Sequence, residues 1–271
     1  MTNQPSIIKS GNISYAWALV LAESMRAGRS ELNQLMVTVY PAEGESDEDL
    51  ALRTILDKFL LANGLQKCST VAQTIFPFSL QSPGSNAQDL FAAYRKIYDR
   101  VKRCRANAKG TYFKRMIDYE PFVGGGVAVT PVNQLEKVIA DLRTAAPRRS
   151  GLQLAIFDPT RDHIHSPYLK FPCLQQVSFS KDDHGNVMLM ALYPLHYLIE
   201  RAYGNYLGLL RLGQFVAKES GLKFHSMTCV AATGKREKTK EVCAPLLADV
   251  DAYINGIGGF AGLSTKIVSH E

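Results

Sequence analysis

The sequence predicts an α+β fold in a single domain, with a mixed β-sheet packed against helices. Its 271 residues are 46% hydrophobic and 21% charged, which is enough apolar material to bury one full core. Amphipathic helical segments and short strand-like segments are mixed irregularly along the chain. Two of the strand-like segments are joined by a short polar turn, which is typical of an antiparallel hairpin. We therefore expect one domain over residues 1–271.

The first part of the chain is predicted to be mainly helical. Helical spacing of apolar residues predicts a helix at 14–27, and the β-branched run LMVTVY predicts a strand at 35–40. The pattern S-D-E-D from Ser46 is typical of a capping box and predicts a second helix. Prolines and small polar residues predict a loop at 76–89, and a third helix is expected at 89–103.

The second part of the chain contains the predicted hairpin. Three glycines at 124–126 lack the Lys-Ser/Thr of a phosphate-binding loop and predict a turn. The run VNQLEKVIADLRT predicts a helix at 132–144, and GLQLAIFDP predicts a strand. Alternating residues at 171–179 and 187–193 predict a hairpin closed by SKDDHGN. A long, mostly apolar and therefore central helix is expected at 203–220.

The cysteine spacing and the early apolar stretch argue against several classes of protein. Five cysteines at wide, irregular spacings, without a C-x-x-C pair, argue against a disulfide framework and against a metal site. The early apolar stretch is too short to span a bilayer and has no cleavable signal, so we expect a cytoplasmic protein with no membrane partner.

The net charge of +6 suits an anionic partner such as a nucleotide. Much of the positive charge lies at 95–115 and at 234–240, which we expect to be a solvated helix face and a solvated loop. Nucleic acid is not expected as a partner, because the aromatic residues of 95–115 fall at core spacing rather than as a stacking platform.

Five segments between Gly110 and Val230 follow one another in a recognisable order. They are GTYFKRM, NQLEKVIADLRTAAPRRS, GLQLAIFDP, FPCLQQVSF and AYGNYLGLLRLGQFVAKESGL. This succession resembles thymidylate synthase and its relatives, the pyrimidine nucleotide methylases and hydroxymethylases. The corresponding family patterns are G-x-x-Y-G-x-Q-W, D-Q-L-x-x-V-I-x-x-L-x-x-x-P-x-S-R-R, a strand ending in W-N-P, P-P-C-H-x-x-x-Q-F and the helix P-F-N-I-A-S-Y-A-L-L-x-x-x-I-A-x-x-x-G-L.

The resemblance implies a thymidylate synthase-like fold and a catalytic cysteine. Cys173 would add to C6 of a pyrimidine nucleotide monophosphate, so that C5 attacks a one-carbon unit carried by 5,10-methylenetetrahydrofolate. A thiol suits this step because it is nucleophilic even at a modest thiolate fraction and can leave again. Without the resemblance, the sequence favours the alternative that Cys173 is a small apolar residue that fills a strand.

The resemblance also implies a substrate-binding set. Arg148 and Arg149 match the arginine pair that holds the substrate phosphate across a homodimer interface; without it, they are a basic pair at a helix end. Asn205 matches the helix asparagine that pairs with the amide edge of the base, or it caps the helix that follows. Tyr112 and Phe113 compete for the family tyrosine, and the spacing favours Phe113.

The chain also departs from the family pattern. The glutamate of the early helix is matched only by Asp57, which is out of register, and the glutamine after the cysteine is replaced by Ser178, with Gln176 close by. The activating arginine and folate-binding aspartate of R-S-x-D are replaced by YPLHYLIE, in which His196 is a candidate for substrate binding. The family's sugar-binding G-D-x-H-x-Y is replaced by TCVAATGKREK.

Two functions from different classes remain open. The first is a divergent C5 methyl- or hydroxymethyltransferase that uses a cysteine and a one-carbon folate. The second is a catalytically inactive nucleotide-binding or assembly protein on the same scaffold.

Overall fold

The structure is a computed structural model that describes residues 5–26, 30–41, 47–121, 130–163, 165 and 172–256. This part of the chain is a mixture of helices and strands, so the α+β class is confirmed. In chain order the elements are β1 (Ser6–Ser10), α1 (Ile13–Arg26), β2 (Glu31–Val39), α2 (Asp47–Ala62), α3 (Cys68–Ile75), α4 (Ala87–Arg103), α5 (Tyr112–Ile117), α6 (Gln134–Leu142), β3 (Gln153–Ala155), α7 (Pro159–Asp162), β4 (Gln176–Lys181), β5 (Asn186–Tyr197), α8 (Ala202–Ser220), β6 (Lys223–Lys235) and α9 (Lys240–Gly256).

The strands form one mixed sheet in the order β1-β2-β6-β5-β4-β3. β1 pairs with β2 in parallel, whereas β2 pairs with β6, and β4 with β3 and β5, in antiparallel orientation. The predicted hairpin is confirmed as β4–β5. Its turn closes because the Asp182 carboxylate accepts the backbone N–H groups of His184 and Asn186 at 2.9 and 2.8 Å, and Gly185 adopts a φ of +77°.

The chain falls into two compact units. The first unit comprises Met1–Ala72, Tyr193–Leu207 and His225–Glu271, and the second comprises Gln73–Leu192 and Gly208–Phe224. The chain passes from one unit to the other four times, within α3, β5, α8 and β6. A single domain over residues 1–271 stays a prediction.

The core of the first unit surrounds α1. Trp17 is fully buried; its Nε1 donates to the carbonyl of Leu198 at 3.0 Å, and its ring meets the edge of Tyr203 at 5.9 Å. The buried Asp49 carboxylate accepts the backbone N–H of Ser14 at 3.2 Å, which places a negative charge at the positive end of α1. A buried Trp with its N–H satisfied contributes both apolar area and orientation to this core.

The core of the second unit is aromatic. Phe113 is fully buried, and its ring lies 4.8 Å from Tyr94, 6.0 Å from Phe76 and 6.3 Å from Phe91. Most of these side chains come from α4 and α5. The spacing of the aromatic residues along these helices places them on the helix faces that point toward the core. The N-terminus of α4 is fixed by a capping box formed with Asn86.

The predicted helices at 14–27, 89–103, 132–144 and 203–220 are confirmed as α1, α4, α6 and α8. The second predicted helix corresponds to α2. Three parts of these predictions lie outside the described residues: Ser46, the glycines at 124–126 and the start of the 171–179 strand.

The two basic regions differ from their predictions. Residues 95–115 are not one helix, because α4 ends at Arg103 and α5 begins at Tyr112. Arg115 is not solvated either: its guanidinium pairs with Asp162 and donates to the carbonyl of Ile156. Residues 234–240 are not a simple solvated loop, because they include the end of β6 and the first residue of α9. No helix among the described residues is long and apolar enough to cross a membrane.

Candidate functional site

Cys173 lies in the short stretch that leads into β4, and its thiol is exposed. The residues on both sides, Pro172 and Leu174, are buried, so alternation along an extended backbone turns Cys173 outward. The stretch is fixed by Gln175, whose backbone N–H donates to the carbonyl of Leu192 at 2.9 Å. The alternative that Cys173 is an apolar residue filling a strand is therefore wrong, since it is neither in a strand nor buried.

Tyr112 is the predicted residue that the structure brings next to Cys173. Its hydroxyl accepts the backbone N–H of Cys173 at 3.4 Å. Tyr112 begins α5, whose N-cap is Thr111, and its neighbour Phe113 points into the aromatic core instead. The spacing argument that favoured Phe113 as the family tyrosine therefore selects the residue that packs in the core, and Tyr112 is the aromatic residue that contacts the Cys173 segment.

Arg148 and Arg149 are exposed and lie after α6. The alternative that they are a basic pair at a helix end is wrong, because α6 ends at Leu142 and its C-cap is Arg143. The Nε of Arg148 donates to the hydroxyl of Ser150 at 2.9 Å within the same tight turn. Two exposed guanidiniums on a short turn have the planar donor geometry that a phosphate requires.

Gln176 is the first residue of β4 and is exposed. Its side-chain amide donates to Oε1 of Gln153 and, at 3.4 Å, to the hydroxyl of Ser178. Ser178 also donates to Oε1 of Gln153. Because residues two apart on a strand share a face, Gln176 and Ser178 form one polar patch with Gln153.

Asn205 and His196 lie in the first unit, and the structure brings them together. Asn205 is the fourth residue of α8, only 4% exposed, and its Nδ2 lies 2.9 Å from Nε2 of His196. Its own backbone N–H donates to the carbonyl of Arg201. Asn205 is therefore inside the helix, and the alternative that it caps this helix is wrong.

The surroundings of His196 form a buried cluster with Asn205, Cys229, Tyr193 and Tyr206. The imidazole stacks on Tyr193 with ring centroids 4.4 Å apart and meets the edge of Tyr206 at 5.5 Å. Its Nδ1 lies 3.8 Å from the Sγ of Cys229. Within the described residues, the buried hydroxyl of Tyr206 has no hydrogen-bond partner.

Burial sets the protonation states of this cluster. It lowers the pKa of His196 to about 3, so the ring is neutral at pH 7. An amide nitrogen can only donate, so Nε2 of His196 accepts from Asn205 and Nδ1 carries the proton toward the Cys229 sulfur. Burial also raises the pKa of Cys229, which keeps its thiol protonated and unsuited to nucleophilic attack.

Asp57 lies in the middle of α2 in the first unit. Its Oδ1 accepts the backbone N–H of Cys68, the first residue of α3, at 2.8 Å. Burial, and then the nearby Asp57 charge, raise the pKa of the Cys68 thiol. The geometry of Asp57 is that of a carboxylate that stabilises a helix N-terminus.

Sequence reasoning missed three members of the buried cluster as site residues, Tyr193, Cys229 and Tyr206. The signal for Cys229 was present in β6, where Met227, Cys229 and Ala231 alternate as buried residues. For Tyr206 the only signal was its position in an apolar helix.

The predicted site residues therefore fall into two groups. Cys173, Tyr112, Gln176 and the arginine pair belong to the second unit, and Asp57, Asn205 and His196 belong to the first. Compared with protein-family models and with curated proteins, the chain matches none.

Proposed function

We propose that the chain is a divergent pyrimidine nucleotide C5 methyl- or hydroxymethyltransferase in which the Cys173 thiol is the nucleophile. The observation that supports this proposal is the exposure of Cys173 between two buried neighbours on a fixed backbone. A thiol held in this way is directed to solvent, where a flat heterocycle could contact it. The exposed Arg148 and Arg149 supply cationic groups suited to the nucleotide phosphate.

The proposed step begins with addition. The Cys173 thiolate gives an electron pair to C6 of the base, an S–C6 bond forms, and the electrons of the C5=C6 double bond move onto C5 and the adjacent carbonyl. C5 then takes up an electrophile, which is a solvent proton in the simplest case. Loss of the original C5 proton restores the double bond as the S–C6 bond breaks and the thiolate leaves. Tyr112, hydrogen-bonded to the Cys173 backbone, would hold the nucleophile in position.

A one-carbon folate would supply the transferred carbon. In the family the folate is held by the aspartate of R-S-x-D, and the exposed residues of the corresponding stretch here are Pro194, Leu195 and Tyr197. None of the three carries a carboxylate. The one carboxylate of the stretch belongs to the half-buried Glu200, and Tyr197 and Leu198 stand where R-S-x-D would then have its arginine and serine, so this stretch does not fit a folate in the family's manner. The addition step above does not depend on it.

The experiment measures exchange of the C5 hydrogen for deuterium in uridylate and cytidylate, which requires the addition step and no folate. The wild-type protein should catalyse exchange on one of the two nucleotides, and the corresponding 5-fluoro nucleotide alone should form an S–C6 adduct visible by intact mass. Cys173→Ser should reduce exchange to the protein-free rate, whereas Cys104→Ser, which removes another exposed thiol, should not. Exchange that survives in Cys173→Ser would contradict the proposal.

A second candidate, the non-catalytic nucleotide-binding or assembly protein, is favoured by one observation. The Asn205 amide that would read the base is 4% exposed and already bonded to His196. A nucleotide that raises the melting temperature of the wild-type protein, with neither exchange nor adduct, would support this candidate instead.

A further inference from the structure

Arg236 is a buried cation in the turn between β6 and α9. Its side chain is only 5% exposed, and its backbone N–H donates to the carbonyl of Ser30 at 2.7 Å. One guanidinium nitrogen, Nη1, donates to the carbonyl of Lys238 at 2.6 Å. The Nε–H has no hydrogen-bond partner within the described part of the chain.

The charge of Arg236 is also not neutralised by an ion pair with any described residue. Two carboxylates lie near in sequence, and each is engaged elsewhere. Glu237 accepts the backbone N–H groups of Ile199 and Glu200. Glu241 is exposed and is held by its own backbone N–H and by the hydroxyl of Thr239, although the Arg236 charge helps to lower its pKa. Burying a guanidinium without a counter-ion costs free energy of folding. We therefore expect Arg236 to have a negatively charged partner.

The guanidinium lies at the N-terminus of α9, a helix of 17 residues. Burial raises the pKa of Cys243, in the first turn of α9, whereas the charge of Arg236 and a hydrogen bond from its side chain to the Cys243 thiol oppose that rise. The hydroxyl of Thr239 accepts the backbone N–H of Val242 at 3.4 Å, which marks this end of the helix. The helix end carries a partial positive charge, and Lys238 and Lys240 add two more cations.

We propose that this corner, formed by Arg236, the first turn of α9, Lys238 and Lys240, binds an oxyanion of the phosphate type. The helix N-terminus supplies a favourable dipole, the Arg236 Nε–H supplies a donor, and the two lysines attract the anion from solvent. The Glu241 carboxylate is the local competitor, because it is the negative group already held at this helix end. The oxyanion is either free phosphate or the phosphate group of a larger ligand.

The test is thermal unfolding in phosphate-free buffer, with inorganic phosphate added at constant ionic strength. At ten times the dissociation constant, phosphate should raise the melting temperature of the wild-type protein by about 3 °C. Arg236→Gln should abolish this rise, whereas Arg103→Gln, which removes an exposed arginine of α4, should leave it intact. No rise in the wild-type protein, or an equal rise in Arg236→Gln, would overturn the proposal.

A second variant keeps the proposal testable if Arg236→Gln does not fold. Glu241→Gln removes the competing charge from an exposed position, and the dissociation constant for phosphate should fall about threefold to fivefold. An unchanged or weaker affinity would count against the site.

Two further measurements extend the test. One identifies the source of the phosphate, and the other shows whether this site is independent of Cys173. A nucleoside monophosphate that acts at lower concentration than inorganic phosphate, through an effect that Arg236→Gln abolishes and the nucleoside does not reproduce, identifies a larger phosphate-bearing ligand. Equal potency identifies free phosphate. The phosphate effect should persist in Cys173→Ser, so this proposal can fail or succeed separately from the proposed function.

Discussion

The protonation state of a single buried ring controls how the first unit responds to acid. His196 is 1% exposed, and its contacts with Asn205 and Cys229 use one acceptor nitrogen and one donor nitrogen. A second proton on this ring would replace the acceptor with a donor that faces the Asn205 amide. The cluster therefore accommodates only the neutral form.

We expect His196 to make the protein less stable as the pH falls. The pKa of His196 is about 3 in the folded protein and about 6.5 in the unfolded chain, so the unfolded chain binds more protons between these values. Its contribution to stability is complete above about pH 6.5 and is lost as the pH falls toward 3. Between pH 7 and pH 5 the loss should be roughly 2 kcal/mol, measured by urea unfolding at several pH values.

Matched variants isolate this contribution. His196→Gln should be less stable at pH 7 but should lose less stability on acidification, because an amide can accept from Asn205 without titrating. His184→Gln, which changes an exposed histidine in the hairpin turn, should keep the wild-type pH dependence. If His196→Gln and wild-type protein lose equal stability between pH 7 and pH 5, the buried imidazole is not the cause.

The sequence patterns identified which types of residue could form a site, but they did not predict which individual residues are buried or exposed. The cysteine of FPCLQQVSF is a correct candidate for an exposed thiol, but its exposure depends on the burial of Pro172 and Leu174, which a linear pattern does not report. Arg236 is the opposite case. The run GKREKTK is as basic as a solvated loop, and only the backbone that links β6 to α9 buries its arginine.

At the scale of elements, the packing of α8 against α3 depends on one glycine. A Cβ atom at Gly204 would lie 2.5 Å from Cβ of Val71 and 2.7 Å from the carbonyl oxygen of Cys68. Neither of these atoms is the flexible end of a side chain, so the helices must separate to admit a methyl group.

We expect Gly204→Ala to destabilise the protein although alanine favours the helix. The gain in helix propensity is about 1 kcal/mol, and overpacking at such short distances should cost about 2–3 kcal/mol, so a net loss of roughly 1–2 kcal/mol should appear in urea unfolding. Gly256→Ala, at the end of α9 with no atom near the added methyl group, should be neutral or slightly stabilising. A Gly204→Ala protein as stable as the wild type would mean that the two helices do not pack this closely.

Sequence reasoning found the elements in which apolar residues recur at a regular spacing over many residues. α8 and α6 are examples, because their buried stripes repeat every three or four residues. β6 was missed because its inward residues, Met227, Cys229 and Ala231, include small ones and its sequence lacks a strong β-branched pattern. α9 was missed partly because it contains Pro245, which normally indicates a helix boundary.

At the scale of the whole molecule, the chain order does not match the spatial grouping. The first unit takes in residues from the start, the middle and the end of the chain, so its core depends on long-range contacts. The irregular mixture of elements was enough to predict the α+β class. The division into two units was not predictable, because it depends on β6 and α9, which no sequence pattern indicated.

The last prediction concerns self-association through the outward face of β5. In the second unit, Met190 and Leu192 are 50% and 44% exposed, while the residues that alternate with them, Leu189 and Ala191, are buried. Two neighbouring exposed apolar side chains on one sheet face form a small apolar patch, and we propose that this patch contributes to a homodimer. Light scattering after size exclusion should give twice the monomer mass for the wild-type protein.

Met190→Lys combined with Leu192→Lys should convert this dimer to a monomer, because two unpaired charges would be buried at the contact. Both side chains are already exposed in the monomer, so the intrinsic free energy of unfolding of the monomer should change by no more than about 0.5 kcal/mol, and any larger loss should reflect the lost association. Leu61→Lys, at a residue of α2 that is 52% exposed, should leave the dimer intact. A wild-type protein that is monomeric at micromolar concentration, or a double variant that stays dimeric, would show that this face of β5 is not the interface.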